Sequence, residues 1–591
     1  MTEMTHAAVC KGVKVPPSPF LTETRIKRME EARYEGEEIA GALAVVRAGD
    51  RVLEMGAGLG VVGAVTALNA KPDAVLSFEA NPSLLPHIEK LYALNGLEDR
   101  IEVRNQLVIA APDRPESMTF HVRSSFLGSS LIDREGRQTR PVEVATVAFD
   151  KIREEFRPSV LIMDIEGGEL DFLNHANLDG IRAVVIEFHP GLYGTKGTKE
   201  CKDALRAAGF AKVEEKSTRF VWTCIRKVRL SPPKPNEGWS RETVTLERPV
   251  VVPPATRSHV QETGVLTREG LPVQHAGLWR GQRLLTVPPA MPDAEIERLP
   301  GKWLWGGVLW RYFPHFITES VTRLWALEGM DQSDFDGILF VPKNPGNDDP
   351  APGFHRAFFD LMGTSLAIRE ARSPARPDEL VVPGQGFGLG EISKGTPEFR
   401  AAMAARFASD VKPEGPEKLY ISRSRLGPQR GALLGETALE TLLEAEGYTI
   451  FHPQEHSLEV QIAHYRAARQ VIAAEGSSLH LYAFAGRADA QVAMILRRKS
   501  KATQHISTHI EGFTGVKPLW IERLRRTWAR ADTPRKRLHI GEPDFAAIQK
   551  DLVTGGFIGT GSAWAQPPED ELQALLGPDY QLANEALQIA G

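Results

Sequence analysis

The sequence predicts an α/β protein with two separate α/β regions in one chain. Short β-rich runs alternate with helical stretches over the first 225 residues, and the alternation resumes after Trp303. A proline-rich stretch, with SPPKPNEG, ERPVVVPPA and LTVPPAMPD, separates the two. At 591 residues the chain is also too long for one hydrophobic core.

Taken in order, residues 25–48 predict one amphipathic helix, with Ile26, Met29, Ala32, Ile39 and Leu43 near helical spacing. Strands follow at Arg51–Met55, Ala74–Glu79, Ile101–Asn105, Val160–Asp164 and Ala183–Phe188. Helices are expected at Val61–Asn69, Leu84–Asn95 and Leu170–His175, which together read as a doubly wound sheet. Phe210–Glu214 and Arg219–Ile225 suit an antiparallel hairpin at the sheet edge. In the second region ILFV (338–341), KLYIS (418–422), YTIF (448–451), QVIAA (470–474) and VAMIL (492–496) read as strands between helices. The expected boundaries are an extension over 1–29, a domain over 30–227, a linker and lead-in over 228–300, a domain over 301–520 and a tail over 521–591. The last part of that tail, from about 540, reads as weak helices.

A composition of 42% hydrophobic and 25% charged residues is that of an ordinary globular protein. No apolar run approaches the ~20 residues of a membrane span. The first residues lack a basic segment followed by an apolar core. The expectation is a cytoplasmic protein, at most peripheral to the inner face of the cytoplasmic membrane. Cys10, Cys201 and Cys224 are too few and too scattered for a disulfide framework or a zinc cluster, and no metal site is expected. A net charge of −5 gives no pull toward nucleic acid. The basic cluster of Arg523, Arg525, Arg526, Arg530, Arg535, Lys536 and Arg537 reads as the solvated face of a late helix, with anionic lipid head groups as the alternative partner.

Chemistry concentrates first in VLEMGAGLGVVGA at 52–64, a strand, a glycine turn and a helix start. Gly56 and Gly58 fit a dinucleotide fingerprint, but the third glycine falls one place early, at Gly60. That spacing argues against a nicotinamide oxidoreductase, the rival reading. The second strand ends in Glu79 and Asn81 of FEANP, where an acid accepts the two hydroxyls of an adenosine ribose. Glu54, the glycines and Glu79 together fit S-adenosylmethionine, with Glu54 facing its amino-acid part. Asp164, Glu166 and Glu169 stand at the fourth strand end, and His189 at the fifth. One of the acids, or His189 with an ordinary pKa near neutrality, is the candidate base, and the remaining acids would hold acceptor hydroxyls. Tyr34, Glu35 and Glu38 read as an exposed acidic helix face, with a lid over the cofactor as the alternative.

With LEMGAGLG, FEANP, MDIEGGELDFL (163–173) and VIEFHP (185–190), residues 30–227 resemble the FkbM-type methyltransferases. The resemblance implies a Rossmann-like class I fold, S-adenosylmethionine as methyl donor and a sugar or polyketide hydroxyl as acceptor. Glu54 stands where many members have Asp, which keeps the charge.

WRYFPHFITESVTRLWAL (310–327), KLYISRSRL (418–426) and PQEHSLEVQIAHYRAARQVIAAEGSSLHLYAFA (453–485) resemble glycosyltransferase family 61. This resemblance spans about 240–510. It implies sugar transfer with inversion from a nucleotide sugar and two facing nucleotide-fold halves (GT-B). Arg423 and Arg425 follow a strand, placed to fork a diphosphate. Glu475, Gly476 and Ser477 lead into a helix whose free N–H groups suit phosphate, and Glu475 would hold ribose or sugar hydroxyls. Relatives carry His-Gly where this chain has Glu475-Gly476, and His480 is either a local substitute or a core histidine. His315 and Glu319 lie four apart on a predicted helix and either could deprotonate an acceptor, His315 being preferred. Together the two regions predict a bifunctional enzyme that O-methylates and glycosylates a glycan or lipid-linked sugar in surface polysaccharide synthesis. The alternative is a methyltransferase with an inactive glycan-binding module. The oligomeric state is not legible.

Overall fold

The computed structural model describes residues 6–123, 129–131, 138–228, 230–347, 349, 351–427, 430–532, 538–576 and 578–585. The chain divides into two compact units, Met1–Arg229 with Arg268–Leu271, and Leu230–Thr267 with Pro272–Gly591.

In the first unit a helix, α1 (Gly36–Val45), precedes β1 (Arg51–Met55), α2 (Val61–Asn69), β2 (Ala74–Phe78), α3 (Leu85–Leu94) and β3 (Ile101–Arg104). A side sheet of β4 (Leu107–Ile109), β5 (Ser117–Val122) and β6 (Arg140–Ala148) interrupts the alternation. It resumes with α4 (Phe149–Glu155), β7 (Val160–Met163), α5 (Glu169–His175), β8 (Ala183–Glu187), α6 (Pro190–Ala207), β9 (Phe210–Lys212) and β10 (Val221–Arg226). The main sheet has the order β9-β10-β8-β7-β1-β2-β3, parallel from β8 to β3. The β9–β10 pair is the antiparallel hairpin that the sequence predicts. The strands are buried on both faces because helices cover both, which is why they read as continuous apolar runs. Strand order reverses between β1 and β7, and that switch point opens a crevice at the carboxyl ends.

Two expectations for this unit change. The single helix over 25–48 is two helices, Glu23–Glu30 and α1, with Ala32 and Glu35 between them at φ +54° and +45°. Residues 6–29 are not a detached extension, since Ala8, Cys10, Val13, Val15 and Met29 are buried in the same cluster as Ala42 and Val61.

The second unit begins inside the expected linker. There β11 (Thr243–Glu247), β12 (Val250–Val252) and β13 (Gly264–Leu266) join β14 (Glu297–Leu309), β15 (Gly337–Pro342), β16 (Ile368–Glu370) and β17 (Ala375–Pro383). The order is β13-β12-β17-β14-β15-β16, with β11 on β17. Strands β17, β14, β15 and β16 are parallel, and the former linker supplies the antiparallel edge. A second, all-parallel sheet has the order β19-β18-β20-β21-β22, from β18 (Lys418–Ile421), β19 (Thr449–Phe451), β20 (Gln470–Ala474), β21 (Gln491–Ile495) and β22 (Leu519–Ile521). One apolar cluster joins the two halves, through Phe316, Phe340 and Phe387 on one side and Leu419, Leu479 and Met494 on the other.

The tail is a structural part of this unit. β23 (Leu524–Arg530), β24 (Ile540–Pro543) and β25 (Tyr580–Glu585) form an antiparallel sheet. Phe545, Ile548, Leu552 and Trp564 are buried with Tyr420, Leu439 and Ile472. The basic cluster lies on and beside β23 rather than on a helix. Arg523 pairs with Asp551 at 2.7 Å, Arg525 with Glu542 at 3.3 Å, Arg526 with Glu542 and Glu569 at 2.6 Å each, and Arg530 with Asp532 at 2.6 Å. Those partners compensate the four described arginines of the cluster; Arg535, Lys536 and Arg537 lie outside the described residues. No described helix is long and apolar enough to cross a membrane.

Ile548→Ala is therefore expected to lower the unfolding free energy of the second unit by about 2–5 kcal/mol, because the cavity it leaves lies in the core. Chemical denaturation checks this, and an unchanged midpoint would show that the tail is only appended.

Candidate active sites

Two backbone constraints shape the first site. At Gly56 φ is +87°, and a Cβ there would lie 1.7 Å from the Asp164 carbonyl oxygen. Only glycine lets β1 leave the sheet while crossing this close to the end of β7. Gly60 (φ +78°) starts α2 where a Cβ would lie 2.9 Å from Ile88. Gly58 also has positive φ, and its N–H donates to Glu79 Oε2 at 2.7 Å. The Asn81 N–H donates to Glu79 Oε1, also at 2.7 Å.

These residues line a cavity of about 450 Å³ whose wall includes Glu35, Gly56, Gly58, Glu79, Asn81, Asp164 and Glu166. The opposite wall comes from the side sheet and its approach, with Gln106, Val108, Met118 and Phe120. The sequence reading missed that wall, because an insertion between β3 and β7 carries no motif. The volume lies within the range of small-molecule and cofactor sites.

Glu54 is not in that cavity. It is 1% exposed, accepts a hydrogen bond from Ser77 Oγ and packs against the start of α2. Burial raises its pKa to about 7, partly offset by Ser77 and the Gly63 N–H. It is therefore not placed for the cofactor contact expected of it. Glu79 also rises to about 7 through burial, although the Asn81 and Gly58 N–H groups favour its charged form.

At the carboxyl ends of β7 and β8, the expected Asp164, Glu166, Glu169 and His189 do come together. His189 Nδ1 lies 2.9 Å from Glu169 Oε1, while Nε2 lies 3.5 Å from both Asp164 Oδ1 and Glu166 Oε2. Glu169 is fully buried and accepts from the Gly167 N–H at 3.0 Å. Burial opposes the imidazolium charge, but the bond to Glu169 and the charges of Glu169, Asp164 and Glu166 outweigh it and raise His189 to about 9. His189 is thus protonated at neutral pH, which corrects its reading as a base poised near neutrality. Asp164 rises well above the carboxylate range through burial and the nearby Glu187, with His189 acting against the rise. Glu187, which the sequence reading gave no role, lies 4.0 Å from His189. These three side chains, Asp164, Glu166 and His189, also have the geometry to hold a metal ion. Tyr34 and Glu38 are buried and Glu35 lines the cavity, so the exposed acidic face expected there is absent. Burial and the charge of Glu38 raise Glu35 to about 8.

The second unit gathers its groups between the two sheets. His315 and Glu319 lie not on a regular helix but on a helical turn, Phe313–His315, running into a π-turn, Phe316–Ser320. Such turns often mark functional sites. They still share a face, with His315 Nδ1 3.4 Å from Glu319 Oε2. Glu319 is 1% exposed and accepts from Arg280 Nε at 2.8 Å. Burial would raise its pKa, but His315 and Arg280 together pull it below the usual value. His315 stacks on Trp310, centroids 4.3 Å apart.

Arg423 and Arg425 do not form the expected diphosphate fork. Arg423 is 7% exposed and donates to the carbonyls of Arg430 and Gly431 at 3.2 Å. It packs over Gly476, where a Cβ would lie 2.5 Å from Nη1. Arg425 pairs with Glu455 at 2.8 Å near the surface. Glu475 is buried 3.4 Å from Arg498 Nε, and the carbonyl of Glu475 accepts from Arg497 at 3.2 Å. Arg497 and Arg498, just after β21, thus both lean on Glu475, at the turn before the helix Ser478–Ala485; RRK behind a strand was the signal available. Ser477 precedes the helix Ser478–Ala485 without capping it through its side chain. His480 is a core histidine, its Nδ1 2.7 Å from His509 Nδ1, and burial lowers it to about 3.

Comparison with known proteins agrees with this division. Residues 55–211 match the family model for the methyltransferase FkbM domain, and residues 313–493 match that for glycosyltransferase 61. The chain carries both domains. Among solved structures, an FkbM methyltransferase from Methylobacillus flagellatus is 13% identical over 34% of this chain and 55% of its own, with a TM-score of 0.20. An S-adenosylmethionine-dependent O-methyltransferase from Thermotoga maritima is 16% identical over 34% and 68%, TM-score 0.21. A precorrin-6y C5,15-methyltransferase from Geobacter metallireducens is 10% identical over 38% and 100%, TM-score 0.22. Scores this low carry no argument about substrate. No curated protein matches the chain.

The imidazolium makes a pH prediction. His189's folded pKa of about 9 exceeds the ~6.5 of a free imidazole. Its contribution to stability is therefore full below pH 6.5 and is lost as pH rises through 9. Glu35 and Glu79, with folded values of about 8 and 7, act in the same direction from lower pH. NMR titration of the ligand-free protein should place the His189 ring near 9, and Glu169→Gln should lower it by roughly one to two pH units.

Proposed function

We propose that the first unit transfers a methyl group from S-adenosylmethionine to a hydroxyl of a sugar, and that the second transfers a sugar from a nucleotide sugar. Both would act on one glycan or lipid-linked acceptor during surface polysaccharide synthesis. The observation that carries the first half is a single cavity lined by Gly56, Gly58, Glu79, Asp164 and Glu166, with His189 Nε2 3.5 Å from Asp164 Oδ1 behind it. Its donor set fits the cofactor. Two backbone N–H bonds aim the Glu79 carboxylate, leaving lone pairs for two ribose hydroxyls. The acidic wall of Glu35, Asp164 and Glu166 suits a cation.

When bound, S-adenosylmethionine supplies the methyl group as an electrophilic sulfonium. The chain then needs to orient a hydroxyl in line and accept its proton. Asp164 Oδ1 is the acceptor this geometry favours, because burial makes it more basic than an ordinary carboxylate. His189, held by Glu169, keeps a positive charge beside the developing negative one. In the second unit His315 takes the acceptor proton, while Glu319 and Arg280 fix its ring.

Arg423 and Arg425 are committed elsewhere, which favours one alternative: a C-terminal module that binds glycan without transferring sugar.

Calorimetry should show S-adenosylmethionine binding that Glu79→Ala weakens about a hundredfold or more, since two bonds to a charged group are lost. Undiminished binding in that variant would sink the ribose assignment. For the second unit, release of sugar from a panel of nucleotide sugars should fall about a hundredfold or more in His315→Ala. No release from any donor by the wild type would favour the binding module.

A further inference from the structure

Lys343 lies at the carboxyl end of β15, next to the end of β14, where ligands collect in parallel sheets. It is 5% exposed. Its ammonium donates to the carbonyl of His259 at 2.9 Å and sits 4.8 Å from the centre of the Trp310 ring. Trp310 is the ring on which His315 stacks. No described carboxylate lies within ion-pairing distance of Lys343. The acid in this neighbourhood, Glu319, already serves Arg280 at 2.8 Å and His315 at 3.4 Å. Burial lowers the lysine to about 8, with Glu319 opposing and Arg280 adding to the fall. At neutral pH the fold therefore holds a buried, largely charged ammonium whose partners are one carbonyl and one aromatic face. Arg280 is the neighbouring cation, so two cations face one carboxylate. An unpaired buried charge weakens a fold unless a ligand compensates it.

We propose that Lys343 and Arg280 form an oxyanion subsite beside His315, which receives the acidic group of the sugar acceptor, a carboxylate or a phosphate ester. This rests on the sugar-transfer reading of the second unit. The donor's phosphates are assigned instead to the turn before the helix Ser478–Ala485 and to Arg497 and Arg498. The subsite therefore selects the acceptor. It would hold an acidic sugar so that a neighbouring hydroxyl meets His315.

The test compares methyl β-glucuronide, glucose 6-phosphate and the neutral methyl β-glucoside as probes for the full chain by calorimetry. Wild type is expected to bind at least one acidic probe ten times more tightly than the neutral one, and the arm that does so identifies the oxyanion as carboxylate or phosphate. Lys343→Met, close in shape, is expected to abolish the difference while raising the melting temperature at pH 7, because it removes an uncompensated charge. Lys343→Arg should keep part of the preference. A purely structural lysine gives the opposite pattern, with a lower melting temperature in Lys343→Met and probe affinities unchanged in all variants. Equal binding of acidic and neutral probes by wild type overturns the subsite. Nucleotide-sugar turnover by the wild type is read separately. Turnover without acid selectivity overturns the subsite and leaves sugar transfer standing, whereas acid selectivity without turnover overturns sugar transfer and leaves the subsite.

Discussion

The close crossing of Gly56 and the Asp164 carbonyl governs the first unit. The two strands that end there are neighbours in register, Met55 beside Met163, and the Asp164 N–H donates to the Met55 carbonyl at 2.9 Å. The next residue on each strand must then turn away from its partner. Gly56 does so through a conformation other residues enter only at a cost, and the Gly56 and Ala57 N–H groups bond to the Phe78 carbonyl at 2.9 and 3.0 Å. That turn carries the Gly58 N–H to Glu79, while Asp164 is left at the lip with its side chain in the same cavity. Glu79 and Asp164 are thus positioned by one backbone contact.

The same crossing concentrates negative charge. Glu35, Asp164 and Glu166 converge on one cavity wall, and burial lifts the first two far above ordinary carboxylates. A surface so arranged is poor at holding its own charge and good at receiving a cation. His189 supplies one cation from the protein, fixed by Glu169 at the point where Asp164 and Glu166 meet. A cationic ligand would supply the other. Charge that is costly in the free protein becomes complementary on binding, which is the usual arrangement of a site built for a charged reactant.

Legibility in the sequence followed the reach of each interaction. β1 and α2 lie at their expected residues, and β2, β3, β7 and β8 within a residue, because apolar runs bounded by glycine and acid specify buried parallel strands. Asp164, Glu166, Glu169 and His189 lie together because strand ends bring them together whatever the loops do, and Glu79 lines the same cavity as Asp164 and Glu166. Glu54 was misplaced because a strand-end acid can face either the crevice or the neighbouring helix, and Ser77, not the motif, decides it. Arg423 was misplaced for a similar reason: Gly476, fifty-three residues on, makes room for it to fold inward. The proline-rich stretch looked like a linker because its strands are short and lie among prolines, yet β11 pairs with β17 over five residues.

The second unit shows what a motif cannot say. Its sequence names His315 and Glu319 as partners, but their geometry depends on Arg280, which no motif contains. Glu319 is almost fully buried, and a buried carboxylate with a single partner at 3.4 Å would tend to protonate and release the imidazole. The Arg280 guanidinium prevents this, holding Glu319 below its ordinary pKa. Glu319 therefore stays charged beside His315, whose Nδ1 lies 3.4 Å from both Glu319 Oε2 and Arg280 Nη2. A residue thirty-five positions upstream of His315, and absent from the family signature, thus sets the charge of the carboxylate that faces the histidine.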